Sequence, residues 1–278
     1  MSIGIQSFNP KNLSQIGRRY DPQIAQQALS LLAEGGFSSV NADLMFALPG
    51  QTVEEIIQDL ELAEKRGADQ VTTYPLFTFP YSEVGRYLQL KSVKNPNLKI
   101  RKAHYHAIKH WCDEHQFQQI SVWGFKKGNV PRYSSVTRPS YIGIGPGAGS
   151  LLPDGFVLNT FDLESWLSVN LQARSSIALR MPFTRALSGW WWLYWRFYDT
   201  RIPIGEIDKF LGTGAKKARW LLKALETMKF ATRQGDTIEL TEPGAFWVHL
   251  AQNYFSLNYV NTIWTNARLT PWPESIRI

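Results

Sequence analysis

The chain has 278 residues, 44% of them hydrophobic and 19% charged, with a net charge of +7. These are the values of a globular protein with room for one large domain or two ordinary ones, and they exclude a disordered chain. The charge excess, +3 over residues 1–182 and +4 over residues 183–278, is spread too thinly for the basic stripe of a nucleic-acid binder.

The single cysteine, Cys112, excludes an intrachain disulfide. It also excludes an iron–sulfur site built from this sequence alone, which needs three or four thiolates. The first residues show no basic region followed by an apolar run, and the apolar stretches are too short to span a bilayer. A cytoplasmic location, with neither membrane nor nucleic acid as partner, is the expectation.

In chain order, residues 2–8 predict a strand with Ile3, Ile5 and Phe8 apolar. Residues 21–35 predict a helix with Ile24, Leu29, Leu32 and Ala33 on one face, ended by Gly35-Gly36. Residues 38–48 predict a second strand stopped by Pro49-Gly50. Thr52 with Glu55 three residues on is a capping box, opening a helix to about Lys65. Residues 69–77 predict a third strand, 78–98 a loop with several prolines, 100–116 a helix, and 117–125 a fourth strand. YIGIGPGAGSLL, residues 141–152, reads as a glycine-rich turn.

Strands alternating with helices imply an α/β fold with a parallel sheet. In such sheets ligands sit at the carboxyl ends of the strands, where Gln6, Asp43 and the Thr73-Tyr74 pair fall. Only about four strands are present, and a closed parallel barrel needs more. From residue 183 the pattern changes. An aromatic helix over 185–198, a short helix over 205–211, a GTG turn and a helix over 215–229 precede a hairpin turning at Gln234-Gly235-Asp236. A last helix starts at Pro243. This predicts a small winged-helix-like domain over 183–278 behind an α/β domain over 1–182.

The segments SIGIQSFN…IGR, NADLMFALPGQT, TTYPLF and SYIGIGPGAGS occur in that order. None is specific alone, but as an ordered set the chain resembles the oxygen-independent coproporphyrinogen III oxidase-like branch of the radical S-adenosylmethionine enzymes over roughly residues 1–170. The resemblance implies a partial TIM-like barrel carrying about half of the parallel strands. It implies that Gln6 touches the ribose of S-adenosylmethionine and that Arg18 meets its carboxylate or ribose side. It further implies that Asp43 accepts from the cofactor's hydroxyls, that Tyr74 lines the adenine pocket, and that Gly147, Ala148 and Gly149 let backbone approach cofactor or substrate. The implied substrate is tetrapyrrole-like, and Arg132 and Arg138 match its propionates or serve as ordinary surface residues.

The departures from that family weigh as much as the match. Its members hold a [4Fe–4S] cluster on a three-cysteine loop after the first strand, with a glycine-rich cofactor motif after the second and an acidic residue on the third. None of these is in the sequence. MSIGIQSF resembles the fourth strand of such a barrel. The expectation is a truncated gene product or gene fragment, the rival explanations being a subunit whose separate N-terminal half carries the cluster and a degenerate remnant. Alone, the chain is expected to be inactive, and the runner-up function is a non-catalytic haem- or porphyrin-binding protein.

Three further features have ordinary readings. His106 and His110 share a helix face, but the glutamate of a zinc helix is missing, so a solvated face is preferred. The cluster Trp190, Trp191, Trp192 and Trp195 reads as packing before it reads as a tetrapyrrole-stacking surface. Lys216, Arg219 and Lys223 share a face of the 215–229 helix, as lysines on the wet side of amphipathic helices do.

Overall fold

The computed structural model describes residues 1–76, 96–134 and 137–276, and of residues 255, 257 and 258 the backbone alone. The chain divides into two compact units, Met1–Tyr133 and Ser134–Ile278. That boundary lies upstream of the change in sequence pattern at residue 183.

In the first unit, β1 (Ser2–Gln6) leads through the short α1 (Pro10–Gln15) to α2 (Pro22–Glu34) and β2 (Asn41–Phe46). Next come α3 (Val53–Lys65), β3 (Gln70–Pro75) and α4 (Leu98–Glu114). The proline-containing loop expected over 78–98 falls largely outside the described residues. The capping box of α3 is formed, with Glu55 N donating to Thr52 Oγ1 at 3.3 Å and Thr52 N to Glu55 Oε2 at 3.0 Å. Asp21 caps α2 by accepting from Gln23 N at 2.8 Å. The buried stripe of α2 runs through Ala25 and Leu29, whereas the expected Ile24 is 59% exposed. Helix rotation is therefore about one position from the face read off the sequence.

The sheet order is β1-β2-β3-β5-β4, with β1, β2 and β3 mutually parallel. The fourth parallel strand expected over 117–125 is instead a hairpin of β4 (Phe117–Gln119) and β5 (Gly124–Lys127). Its turn forms because Gly124 N donates to Ser121 Oγ at 2.9 Å and Ile120 N to Gly124 O at 2.9 Å. The reversed strand β5 then pairs antiparallel with β3. One sheet face, made by Ile5, Ala42, Leu44, Phe46 and Val71, is buried with Ile56 and Leu60 of α3 and Tyr105 and Ile108 of α4. Each fully buried side chain of this size contributes about 1.5–3 kcal/mol.

In the second unit the glycine-rich segment is not only a turn. It runs into β6 (Gly149–Leu152), which pairs antiparallel with β7 (Gly155–Asn159) and through it with β8 (Ile177–Pro182). Helix α5 (Leu163–Leu171) joins β7 to β8. Then follow α6 (Arg185–Tyr198), β9 (Arg201–Pro203), α7 (Ile207–Leu211) and α8 (Ala215–Thr227). The hairpin of β10 (Ala231–Gln234) and β11 (Thr237–Leu240) precedes α9 (Glu242–Ala267). These last strands form the sheet β10-β11-β9. They share a core of Leu193, Phe197, Ile207, Leu211, Leu222 and Ile238 with the helices. Gly189 lets α6 pass α7 closely, since a Cβ there would lie 2.3 Å from Phe210 O. Among the described residues no helix is long and apolar enough to cross a membrane.

Candidate functional site

Side chains alternate across a strand, so the register decides which residues share a face. Ser2 lies beside Asn41 and Asn41 beside Gln70; Gly4 lies beside Asp43 and Asp43 beside Thr72; Met45 lies beside Tyr74. The face opposite the apolar core is therefore polar along three adjacent parallel strands. Its hydrogen bonds form a connected set. Thr72 Oγ1 donates to Asn41 Oδ1 at 2.8 Å, and Asn41 Nδ2 donates to Asp43 Oδ1 at 2.9 Å and to Ser2 Oγ at 2.8 Å. Ser2 Oγ donates in turn to Asp43 Oδ2 at 3.1 Å.

Asn41 and Gln70 are fully buried at the amino ends of their strands; Asp43, Tyr74 and Gln6 are half-buried, Tyr74 and Gln6 near the carboxyl ends of β3 and β1, but Asp43 only third of six residues in β2 and not at its carboxyl end as expected. Burial pushes the Asp43 carboxyl above its ordinary range, opposed by the hydrogen bonds from Asn41 and Ser2. The partner expected for a carboxylate between apolar neighbours is thus a serine and an asparagine. A carboxylate offers about four lone-pair sites, so the donors Ser2 Oγ and Asn41 Nδ2 leave acceptor capacity for the two hydroxyls of a diol.

Gln6 ends β1 at φ +69°, and the register shifts between Gly4 and Gln6. Its amide folds back over Gly4, where a Cβ would lie 2.8 Å from Gln6 Nε2. Ala47, just past the end of β2, is also in the left-handed region at φ +52°. Non-glycine residues held there cost roughly 1–3 kcal/mol and cluster at functional sites.

The segment after β1 is anchored by α3. Asp59, 2% exposed, accepts from Ser7 Oγ at 2.6 Å and from Phe8 N at 2.7 Å, and burial pushes its carboxyl up to about 6. Tyr20 donates its hydroxyl to Ile5 O on the outer strand. Burial raises the Tyr20 pKa, opposed by the charge of the exposed Arg18.

Asp43 and Tyr74 share one sheet face; Gln6 lies beside Leu44 across the register shift but folds its amide back over Gly4, and Arg18 is exposed near Tyr20. Gly147, Ala148 and Gly149 belong to the second unit. There the bare Cα positions of Gly147 and Gly149 accommodate rings of this chain: a Cβ would meet Phe161 at 2.8 Å and Phe156 at 2.6 Å. Ser2, Asn41, Thr72, Ser7 and Asp59 are residues that sequence reading missed. The S-x-G, N-x-D and Q-x-T alternation in the three strands was the available signal.

The donor set of the polar face fits the hydroxyl-bearing part of S-adenosylmethionine. The residues present do not fit a [4Fe–4S] cluster. Cys112 is fully buried on α4, and burial pushes its thiol far up, away from the thiolate a cluster needs. Among the described residues no group of three His, Cys, Asp or Glu could hold a metal ion. His106 and His110 are exposed on α4, and His110 lies 3.5 Å from Glu114.

No protein-family model matches the chain. It is 25% identical over 251 residues to anaerobilin synthase of Escherichia coli O157:H7, a match covering 88% of this chain and 56% of that protein. It is 30% identical over 173 residues to the heme chaperone HemW of Escherichia coli K12, covering 58% of this chain and 43% of that one. The heme chaperone HemW of Bacillus subtilis is 25% identical over 172 residues, 61% of this chain and 45% of its own. The chain thus spans about half the length of the curated relatives it matches. Among solved structures, coproporphyrinogen III oxidase (HemN) from Escherichia coli, described as a radical SAM enzyme, shares the fold at a TM-score of 0.69. That likeness has 19% identity and covers 89% of this chain and 62% of that one. The chain is thus similar in sequence to anaerobilin synthase and to heme chaperones HemW, and in fold to coproporphyrinogen III oxidase, in keeping with the resemblance read from its ordered segments.

Proposed function

We propose that this chain is the S-adenosylmethionine-binding part of a tetrapyrrole- or haem-related radical protein whose [4Fe–4S] cluster is held by residues outside these 278. The observation that carries the reading is the polar face of β1, β2 and β3, where the half-buried Asp43 keeps acceptor capacity beside Gln6 and Gly4. Asp43 accepts from the cofactor's hydroxyls, Gln6 contacts the ribose, Tyr74 lines the adenine pocket and Arg18 meets the carboxylate. Gly147, Ala148 and Gly149 lie in the second unit, where Gly147 and Gly149 make room for this chain's own Phe161 and Phe156, and they have no part in this reading. When bound beside a reduced cluster, the sulfonium cofactor supplies the radical chemistry of the family; this chain's own residues bind and orient it.

In this reading residues 1–182 are a partial barrel. β1 is the edge of its sheet and takes its missing neighbour from a separate N-terminal half. Residues 183–278 are a winged-helix-like accessory domain, a reading supported by the order α6, β9, α7, α8, β10, β11 and the sheet β10-β11-β9. The substrate is a tetrapyrrole-like small molecule, the location is cytoplasmic, and neither nucleic acid nor membrane is a partner. Equilibrium dialysis of the full chain against S-adenosylmethionine tests this. Saturable binding is expected, weakened about tenfold by Asp43→Asn, the scale of one charge-assisted hydrogen bond. Absent binding, or unchanged affinity in the variant, refutes it.

The second reading is a non-catalytic haem- or porphyrin-binding protein, favoured by the heme chaperones among its relatives. Stoichiometric binding of haemin with a shifted Soret band, and no binding of S-adenosylmethionine, would select it.

A further inference from the structure

β1 ends in a turn that strand pairing does not explain. Ser7 N donates to Ile5 O at 2.8 Å across Gln6, and Gln6 stands at φ +69°. A hydrogen bond that spans one residue of positive φ closes the strained form of the γ-turn, which is rare. Glycine takes such a φ freely, whereas a residue with a side chain is strained there. The turn sets one side chain apart. Ile5, Ser7 and Phe8 are buried, and Gln6 alone of these four is half-buried. Among the described residues the Gln6 amide has no hydrogen-bond partner, and neither of its polar atoms is shut off from solvent. It folds over Gly4, the residue of β1 that lies beside Asp43.

Two side chains from outside the strand hold this turn. Ile5 O, the acceptor of the turn's own hydrogen bond, also accepts from the Tyr20 hydroxyl. Tyr20 directly precedes Asp21, the residue that caps α2. On the other side of Gln6, Asp59 of α3 accepts from Ser7 Oγ at 2.6 Å and from Phe8 N at 2.7 Å. Ser7 Oγ in turn accepts from Asn9 N at 3.0 Å. Glu55, one turn earlier on α3, accepts from Asn9 Nδ2 at 3.2 Å and from Asn12 Nδ2 at 3.4 Å. A strained residue persists only where its surroundings over-determine it. Here the residue before Gln6 and the two after it are each tied down by a group that belongs to a helix or to its entry.

Taking the polar face to bind S-adenosylmethionine as proposed above, we infer that Tyr20 and Asp59 are positioning residues for that ligand. Neither touches it. They hold Gln6 at the apex of the turn, so that its free amide is presented over Gly4 next to Asp43.

Equilibrium dialysis of the full chain against S-adenosylmethionine tests this. Tyr20→Phe removes only the hydroxyl of a half-buried ring and should weaken binding about fivefold, the scale of one hydrogen bond. In Gln6→Gly the turn is free of strain and the amide is gone. There the same substitution should change affinity less than about twofold, a non-additivity that a general loss of stability would not produce. Asp59→Leu should also weaken binding about fivefold, and Asp59→Asn, which keeps an acceptor for Phe8 N, should stay within about twofold of wild type. The turn is read without ligand as well. The strong intraresidue Overhauser effect between the amide and α protons of a left-handed residue is expected for Gln6, and it should weaken in Tyr20→Phe and in Asp59→Leu. Wild-type affinity in Tyr20→Phe, an equal loss in the Gln6→Gly background, or an unaltered Gln6 signal in both variants overturns the inference. A wild type that binds no S-adenosylmethionine refutes the proposed function instead, and the Gln6 signal then decides whether Tyr20 and Asp59 hold the turn.

Discussion

Asp59 makes the loop after β1 sensitive to pH, in a direction opposite to that of most paired carboxylates. Burial raises its pKa from an ordinary 3.8 to about 6, outweighing the hydrogen bonds from Ser7 and Phe8 that favour the charged form. The folded state therefore holds this proton more tightly than the unfolded state does. Its contribution is most favourable below the unfolded pKa and is lost as pH rises through about 6. Two pKa units at about 1.4 kcal/mol each make a penalty of about 3 kcal/mol at neutral pH. Asp59→Asn supplies a neutral side chain of the same shape and removes that penalty. At pH 7.5 the variant's first unit should be more stable by about 3 kcal/mol, and at pH 4 by only about 0.5 kcal/mol. Hydrogen exchange of peptides from β1, β2 and β3 reads the local stability directly, and comparing variant with wild type at each pH cancels intrinsic exchange rates. A variant less stable than wild type at pH 7.5, or a difference that does not shrink on acidification, would refute the reasoning. The first outcome would mean that the ionised carboxylate is a net stabilising anchor for the Ser7–Phe8 segment, and the second that its ionisation does not set the difference.

The second unit should respond in the opposite sense. Burial pushes the His249 imidazole down from 6.5 to about 4, so the unfolded state takes the proton first. Stability is intact above pH 6.5 and falls by up to about 3 kcal/mol toward pH 4; equal protection of α9 peptides at pH 7.5 and 4.5, corrected for intrinsic exchange rates, would contradict this. A Cβ on Gly244 would lie 1.7 Å from Phe230 O, so Gly244→Ala should destabilise the second unit by about 3 kcal/mol or more in thermal melts followed by circular dichroism. A loss under about 1 kcal/mol would mean that the α9 start and the Phe230 backbone separate at little cost. Cys112, buried with its thiol pushed up, should react with a disulfide reagent only in denaturant, and ferrous iron with sulfide should build no cluster on the chain. Fast labelling of the native protein would contradict the burial.

What the sequence disclosed follows its local signals. Thr52 with Glu55 marked the start of α3, Gly35-Gly36 the end of α2, and Gln234-Gly235-Asp236 the turn between β10 and β11, because caps and turns are decided by residues within a few positions of one another. Strand direction is not local. FQQISVWGF reads as one apolar strand, and only the Ser121–Gly124 hydrogen bond, with pairing to a strand some fifty residues earlier, turns it into a hairpin. The antiparallel sheet of β6, β7 and β8 was likewise hidden, since its strands are short and half-exposed. At the candidate site Gln6 and Asp43 stood out as polar residues in apolar strands. The residues that orient them did not, because Asn41 reaches Asp43 and Ser2 only once the register is fixed.

The hydrogen bonding of the polar face changes along these strands. At the amino ends, Gln70 exchanges hydrogen bonds with the Tyr133 backbone at 3.0 and 2.9 Å, and Asn41 uses its oxygen and its amide group on Thr72, Ser2 and Asp43. Buried polar groups satisfied in this way rigidify a scaffold and have no capacity left for a ligand. One step along β2, burial relaxes while the chain of hydrogen bonds continues into Asp43, whose oxygens are oriented but not saturated. Gln6 and Ala47 then turn the backbone sharply at φ +69° and +52°. Those turns end β1 at Gln6 and β2 just before Ala47, and Met45 and Tyr74 form one more rung of side chains beyond Asp43 on this face.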